Sequence, residues 1–163
     1  MGEFADSYLG RLRAAVGTQL LLVPGVRIVL ENAAGEVLLD LRADNNLWAL
    51  PGGACEPGEA AMSSIAREVL EEAGVTLEDA TPFGFASDPH WELNNYPNGD
   101  TSQNFCLMFT STSFSGSPRP VDGEAKEYLW CAPEKLPAQM VPHHRRSVEA
   151  WLRWKEGGGF QLI

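Results

Sequence analysis

Residues 52–75 read GGACEPGEAAMSSIAREVLEEAGV. Pro57 and Gly58 interrupt whatever precedes them and Gly74 offers a stop, so the spacing predicts a helix over residues 59–73. Met62, Ile65, Ala66, Val69, Leu70 and Ala73 fall on one side of its 3.6-residue period. Glu68, Glu71 and Glu72 stand at i, i+3 and i+4 on the opposite side, so their carboxylates share one face. Like charges at this spacing each cost a helix roughly 0.2–0.5 kcal/mol. A divalent cation would offset that repulsion, and an all-oxygen ligand set suits Mg²⁺, with Mn²⁺ as a substitute, better than zinc.

Upstream, residues 26–30 and 37–41 are β-rich runs joined by Asn32-Ala33-Ala34-Gly35, a hairpin signal. Residues 19–23 read as a strand that Pro24-Gly25 should end, and residues 47–50 as a short strand before a sharp turn at Pro51-Gly52-Gly53. Downstream, residues 83–86, 105–109 and 128–132 read as strands and residues 133–137 as a loop. Tyr8, Leu9, Leu12 and Val16 predict an N-terminal helix over about residues 6–17, with Asp6 as its cap and Gly17 as its end. Pro142 opens a C-terminal helix over about residues 142–155, after which Gly157-Gly158-Gly159 should fray. This order is α+β: a mixed sheet clasped between helices rather than a doubly wound parallel sheet.

A chain of 163 residues suits a single domain over residues 1–163. With 44% apolar and 21% charged residues it has a globular composition, which excludes disorder and coiled coil. Its formal charge of −10 argues against DNA and against anionic membranes as partners, since phosphate-rich surfaces attract positive fields. The odd set Cys55, Cys106 and Cys131 forms no disulfide or zinc pattern and reads as reduced thiols. No run approaches the length of a membrane span, and the first residues carry acids where a secretory signal carries bases, so the expected location is the cytoplasm.

Gly53 is followed after five residues by Glu59, and seven residues later by Arg67-Glu68, Val69, Leu70, Glu71-Glu72, Ala73, Gly74 and Val75. Over residues 53–75 this pattern resembles, without departure, the signature box of the Nudix hydrolases. The lead-in of Arg42, Trp48 and Leu50-Pro51-Gly52-Gly53 is also similar to that family, as is Glu124 to Ala132 followed by Glu134-Lys135-Leu136-Pro137. The resemblance spans about residues 26–137. It implies a Nudix-type α/β/α sandwich holding a catalytic loop–helix–loop, to which the N-terminal helix is an addition. It also implies Mg²⁺-dependent hydrolysis of a pyrophosphate linkage in a nucleoside diphosphate derivative, giving a nucleoside monophosphate and the phosphorylated second group. Carried over by position, Glu68, Glu71 and Glu72 would be metal ligands, aided by the carbonyl of Gly53. Arg67 would orient a glutamate, and Glu59 would support the loop or water at the metal. The general base would be a glutamate of the box or of the segment before the last strand, where Glu127 stands slightly ahead of Glu124.

The segment after the box is expected to set specificity. Trp91 and Tyr96 are candidates to stack on a base, with turn chemistry over Tyr96-Pro97-Asn98-Gly99-Asp100. Arg27 and Arg42 are candidate phosphate contacts, while His143-His144-Arg145-Arg146 reads as a solvated start to the final helix. The substrate class stays open among nucleotide sugars, ADP-ribose-like compounds and nucleoside triphosphates. A nucleotide-binding or sensing domain without catalysis is the competing class, disfavoured because a binder has no use for clustered carboxylates. An RNA-end pyrophosphohydrolase is disfavoured by the acidity of the chain. A homodimer remains open, with the N-terminal helix as its candidate surface.

Overall fold

The computed structural model describes residues 3–96 and 98–163; Met1 and Gly2, and Pro97 of the turn predicted over residues 96–100, lie outside the described residues. The chain runs α1 (Glu3–Asp6), α2 (Tyr8–Val16), β1 (Leu21–Leu30), β2 (Val37–Arg42), β3 (Trp48–Ala49), β4 (Gly52–Ala54) and α3 (Ala61–Ala73). It continues through β5 (Thr76–Leu77), β6 (Thr81–Ala86), α4 (Pro89–Glu92), β7 (Leu93–Asn95), β8 (Thr101–Ser111) and β9 (Phe114–Ser115). Last come β10 (Ala125–Cys131), a 3₁₀ turn over Pro133–Lys135, α5 (Pro142–Lys155) and β11 (Gln161–Leu162).

The main sheet has the order β11-β6-β8-β1-β4, with β7 also paired to β8; β1 lies parallel to β8 and antiparallel to β4. A second sheet has the order β10-β2-β3. Strand parity divides the core. Val26, Ile28 and Leu30 of β1 pack with Ile65, Val69 and Ala73 of α3, whereas Val29 joins Phe83, Met108 and Trp151 beneath α5. The fold is therefore the expected α+β arrangement, a mixed sheet between α3 and α5. Trp151 is anchored as well as packed, because its Nε1 donates to Thr110 Oγ1 at 2.9 Å.

Several local expectations are corrected. Pro24-Gly25 does not end a strand: β1 runs through both residues, since the fixed φ of proline suits extended backbone. Gly25 is where β4 approaches, and a Cβ there would lie 3.1 Å from the Gly53 carbonyl oxygen. The turn at residues 32–35 forms, with Gly35 N donating to Asn32 O, but β1 and β2 do not continue as a hairpin. Beyond the single antiparallel bridge Glu31–Val37, β2 pairs with β10 and β3 in the second sheet, while β1 is paired with β8 along its length and with β4 over Gly25, Val26 and Arg27. Ser7, not Asp6, caps α2; its Oγ accepts from Gly10 N at 3.0 Å. The glycines at 157–159 reverse the chain instead of fraying it, and β11 then pairs parallel to β6. No helix among the described residues is long and apolar enough to cross a membrane.

Candidate active site

Helix α3 begins two residues later than predicted, which frees Glu59 for another task. Its carboxylate accepts from Ser64 Oγ at 2.7 Å, from Arg67 Nε at 2.8 Å and from Glu56 N at 3.2 Å. The bonds from Arg67 and Ser64 pull the Glu59 carboxyl down to about 2. Arg67 is thereby fixed in place. Its Nη1 donates to Glu68 Oε1 and Glu71 Oε2, each at 2.9 Å, and its Nη2 reaches the Ala54 carbonyl at 3.2 Å. One guanidinium ties the loop before α3 to two of the three clustered glutamates.

Strand β4 brings backbone against the same cluster. Gly52 N donates to Glu72 Oε2 at 3.2 Å. A Cβ at Gly53 would lie 2.5 Å from the Glu68 carboxyl carbon, so only glycine lets the main chain come this close. Gly52 has φ +148°, and a Cβ there would strike the Val26 carbonyl oxygen at 2.2 Å.

The buried part of the cluster carries unbalanced negative charge. Burial raises the Glu68 carboxyl, with Glu71 and Glu124 adding to the shift and Arg67 opposing it. Burial raises Glu72 well above the usual range, reinforced by Asp40, Glu68 and Glu124. Asp40, on β2, was not singled out from the sequence. It is buried, its Oδ1 has no hydrogen-bond partner among the described residues, and burial pushes it up to about 6. Its cross-strand neighbour is Tyr128, whose hydroxyl is likewise unpartnered and whose acidity is suppressed by burial and then by Glu72 and Asp40.

A pH dependence follows. The Asp40 carboxyl rises from 3.8 to about 6 on folding, so between those values the folded chain binds the proton more tightly than the unfolded one. The contribution of Asp40 to stability therefore falls as pH rises through that window. Metal-free Asp40→Asn should match the parent near pH 4 and exceed it by about 2–3 kcal/mol above pH 6. Urea unfolding at pH 4 and pH 7 measures the difference; equal stability at pH 7 would contradict it.

The remaining predicted residues separate. Glu124 N donates to Asp122 Oδ1 and its carbonyl accepts from Ala43 N, which holds it beside the end of β2, where its charge acts on Glu68 and Glu72. Glu127 is exposed on the stretch where the β10–β2 register shifts. Arg42 pairs in bidentate fashion with Asp44, at 3.0 and 2.9 Å, on the rim of a cavity of about 500 Å³ that Gly52, Gly53 and Tyr96 also line. Arg27 lines this cavity too, yet its side chain is directed to the α5 side of β1, away from the glutamates. There its Nη2 bonds Glu92 Oε2 at 3.1 Å and its Nη1 bonds Ser147 Oγ at 2.7 Å. Trp91 lies outside the lining, its ring covered by the Arg146 guanidinium at 4.7 Å.

The basic run at residues 143–146 is not a solvated patch. His143 is buried, Arg145 bonds the Pro137 carbonyl, and Arg146 sits on Trp91. His144 Nδ1 accepts from Leu50 N at 2.8 Å, which leaves the ring proton on Nε2. Burial and then Arg27 lower both imidazoles, His143 to about 3, so both are neutral.

The donor set fits a hard divalent cation. It is all oxygen, it carries excess negative charge in a partly buried place, and the Gly53 backbone is packed directly on Glu68. Among the described residues no three His, Cys, Asp or Glu side chains stand ready to hold an ion. Arg67 Nη1 bonds one oxygen each of Glu68 and Glu71 and so fixes how the two carboxylates are turned.

Comparison with known proteins supplies the context. Residues 21–152 match the model of the NUDIX domain. The chain is 31% identical over 125 residues to a putative 8-oxo-dGTP diphosphatase of Bacillus subtilis, covering 76% of each chain. It is 33% identical over 110 residues to the nucleoside triphosphatase NudI of Salmonella agona, covering 63% of this chain and 77% of that one. Among solved structures it is similar to a MutT NUDIX hydrolase from Burkholderia pseudomallei, with TM-score 0.67 and 25% identity over 80% of this chain and 98% of that one.

Proposed function

This chain belongs to the Nudix hydrolase family, and from that premise we propose that it hydrolyses the P–O–P linkage of a nucleoside triphosphate or related nucleoside diphosphate derivative with Mg²⁺ as cofactor. The carrying observation is the glutamate face of α3 set against Gly52 and Gly53 at the edge of the cavity. The names of the two relatives favour the triphosphate within that class.

In this reading Glu68, Glu71 and Glu72 hold the ion, with the Gly53 carbonyl beside them. When bound, Mg²⁺ supplies the charge that polarises phosphoryl oxygens and lowers the pKa of water. Arg67, itself held by Glu59, sets the orientation of Glu68 and Glu71. The Glu124 carboxylate, which is held by its backbone beside the end of β2 and whose charge acts on Glu68 and Glu72, takes the proton of the attacking water in preference to Glu127. Arg42 meets the phosphates from the rim, exchanging Asp44 for them. The cytoplasm and a single domain over residues 1–163 complete the proposal.

The test is a panel containing the common nucleoside triphosphates, 8-oxo-dGTP, ADP-ribose and a nucleotide sugar, with products resolved by chromatography. At least one should be cleaved with Mg²⁺ or Mn²⁺, poorly with Ca²⁺, and not in excess chelator. Cleavage undiminished after exhaustive chelation would sink the mechanism.

A further inference from the structure

The match to the family model begins at residue 21, so α2 lies outside it. In the structure this helix is nonetheless built into the cavity. Leu9 is part of the cavity lining, together with Val23, Tyr96, Asn94, Asn95 and Asn104. Both ends of α2 are clasped. At its start, Tyr8 N donates to the two Glu56 carboxylate oxygens at 3.0 and 3.2 Å. Glu56 N in turn donates to Glu59, the residue that fixes Arg67. At its end, Arg13 pairs with Asp100 at 3.6 Å, bonds the Thr101 carbonyl and bonds the Gln19 carbonyl at 2.6 Å. The two carboxylate clasps thus join α2 to the loop before α3 on one side and to the β7–β8 connection on the other.

The cavity is chemically two-ended. Gly52, Gly53 and Arg42 line the end next to the glutamates, where a phosphate chain would be held. The lining also includes Leu9, Val23 and Tyr96, which are apolar or aromatic, and Asn94, Asn95, Asn104 and Ser102, which donate and accept without charge. An uncharged heteroaromatic ring suits such a lining, and a charged second group does not. We propose that α2 is a substrate-binding element of this enzyme, in which Leu9 closes the cavity over the nucleobase and the Glu56 and Asp100 clasps hold it there. This rests on the nucleotide reading above and adds to it the side of the cavity that takes the base.

The test compares binding of AMP, GMP, CMP and UMP with binding of ribose 5-phosphate, which lacks the base, by calorimetry. The parent should bind at least one monophosphate more tightly than ribose 5-phosphate. Leu9→Ala should weaken that monophosphate about tenfold, the scale expected for losing much of a leucine contact. It should leave ribose 5-phosphate within about twofold, and Leu9→Met, which keeps the volume, should restore the parent value. For the cleaved substrate, KM should rise with kcat unchanged, as for a contact made equally in ground and transition states. Thermal unfolding of each variant establishes that the fold is kept. Equal monophosphate affinity in parent and Leu9→Ala, or equal weakening of monophosphate and ribose 5-phosphate, overturns the assignment. Cleavage of nucleotides without any preference for monophosphates over ribose 5-phosphate overturns the base end alone and leaves the hydrolytic function standing. Absence of both cleavage and binding overturns the two together.

Discussion

Glu72→Gln is expected to lower kcat by roughly 10²–10⁴-fold, the range typical of losing a key catalytic group, while leaving the metal-free fold at least as stable. The two expectations come from the same observations. Glu72 is pushed up by burial and by Asp40, Glu68 and Glu124, so its negative charge is a burden to the folded chain without a cation. Glutamine keeps an oxygen that accepts from Gly52 N, and it removes the charge. A structural glutamate would behave in the opposite way: thermal unfolding in chelator would drop sharply and activity would fall only in proportion to the folded fraction. Measuring kcat with Mg²⁺ and the unfolding temperature in chelator on one preparation separates these cases.

Glu92→Ala is expected to be the most destabilising of the single changes considered. Arg27 and Glu92 are 3% and 2% exposed and meet through two bonds, at 3.3 and 3.1 Å, with Ser147 completing the shell around the guanidinium. Removing the carboxylate strands a buried cation, which costs about 3–5 kcal/mol. For a chain of this size that is a fall of about 6–20 °C in the unfolding temperature. Replacing both partners, as Arg27→Met with Glu92→Met, should recover most of the loss, because the desolvation cost of both charges disappears with them. An unchanged unfolding temperature in Glu92→Ala would mean that Arg27 finds water or another acceptor.

The catalytic loop and helix were legible because their signals are local. The glutamate cluster of α3 and its glycine stop are set by neighbours within four residues, and the helix ends at Gly74 in the left-handed region as expected. Of the apolar stripe, Ile65, Val69 and Ala73 are buried, whereas Met62 and Leu70 are exposed. What the sequence hid depends on pairing between distant segments. β1 is covered on both faces, so its continuous apolar run carries no parity signal, and the direction of Arg27 is set by its pairing with β4 and β8. The hairpin signal at residues 32–35 describes the turn correctly and says nothing of strands that part into different sheets. Glu124 is held beside the end of β2 by Ala43 N, whereas Glu127 falls where the β10–β2 register shifts between Ala125 and Tyr128, pairings between distant segments that a run of seven residues does not reveal. Asp40 passed unnoticed as one acid in an apolar strand; its importance appears only when Tyr128 and Glu72 come into place around it. Leu9 read as one member of an N-terminal apolar stripe, and only the folded chain shows it at a cavity.

The most direct measurement is hydrolysis of the best substrate of the panel in ¹⁸O-enriched water, with the products analysed by mass spectrometry. Attack on phosphorus, with a phosphate as leaving group, places the label on a phosphate and releases a nucleoside monophosphate with every glycosidic bond intact. Label on a sugar carbon, or free base among the products, would contradict cleavage at the P–O–P linkage and assign this glutamate site to a different reaction.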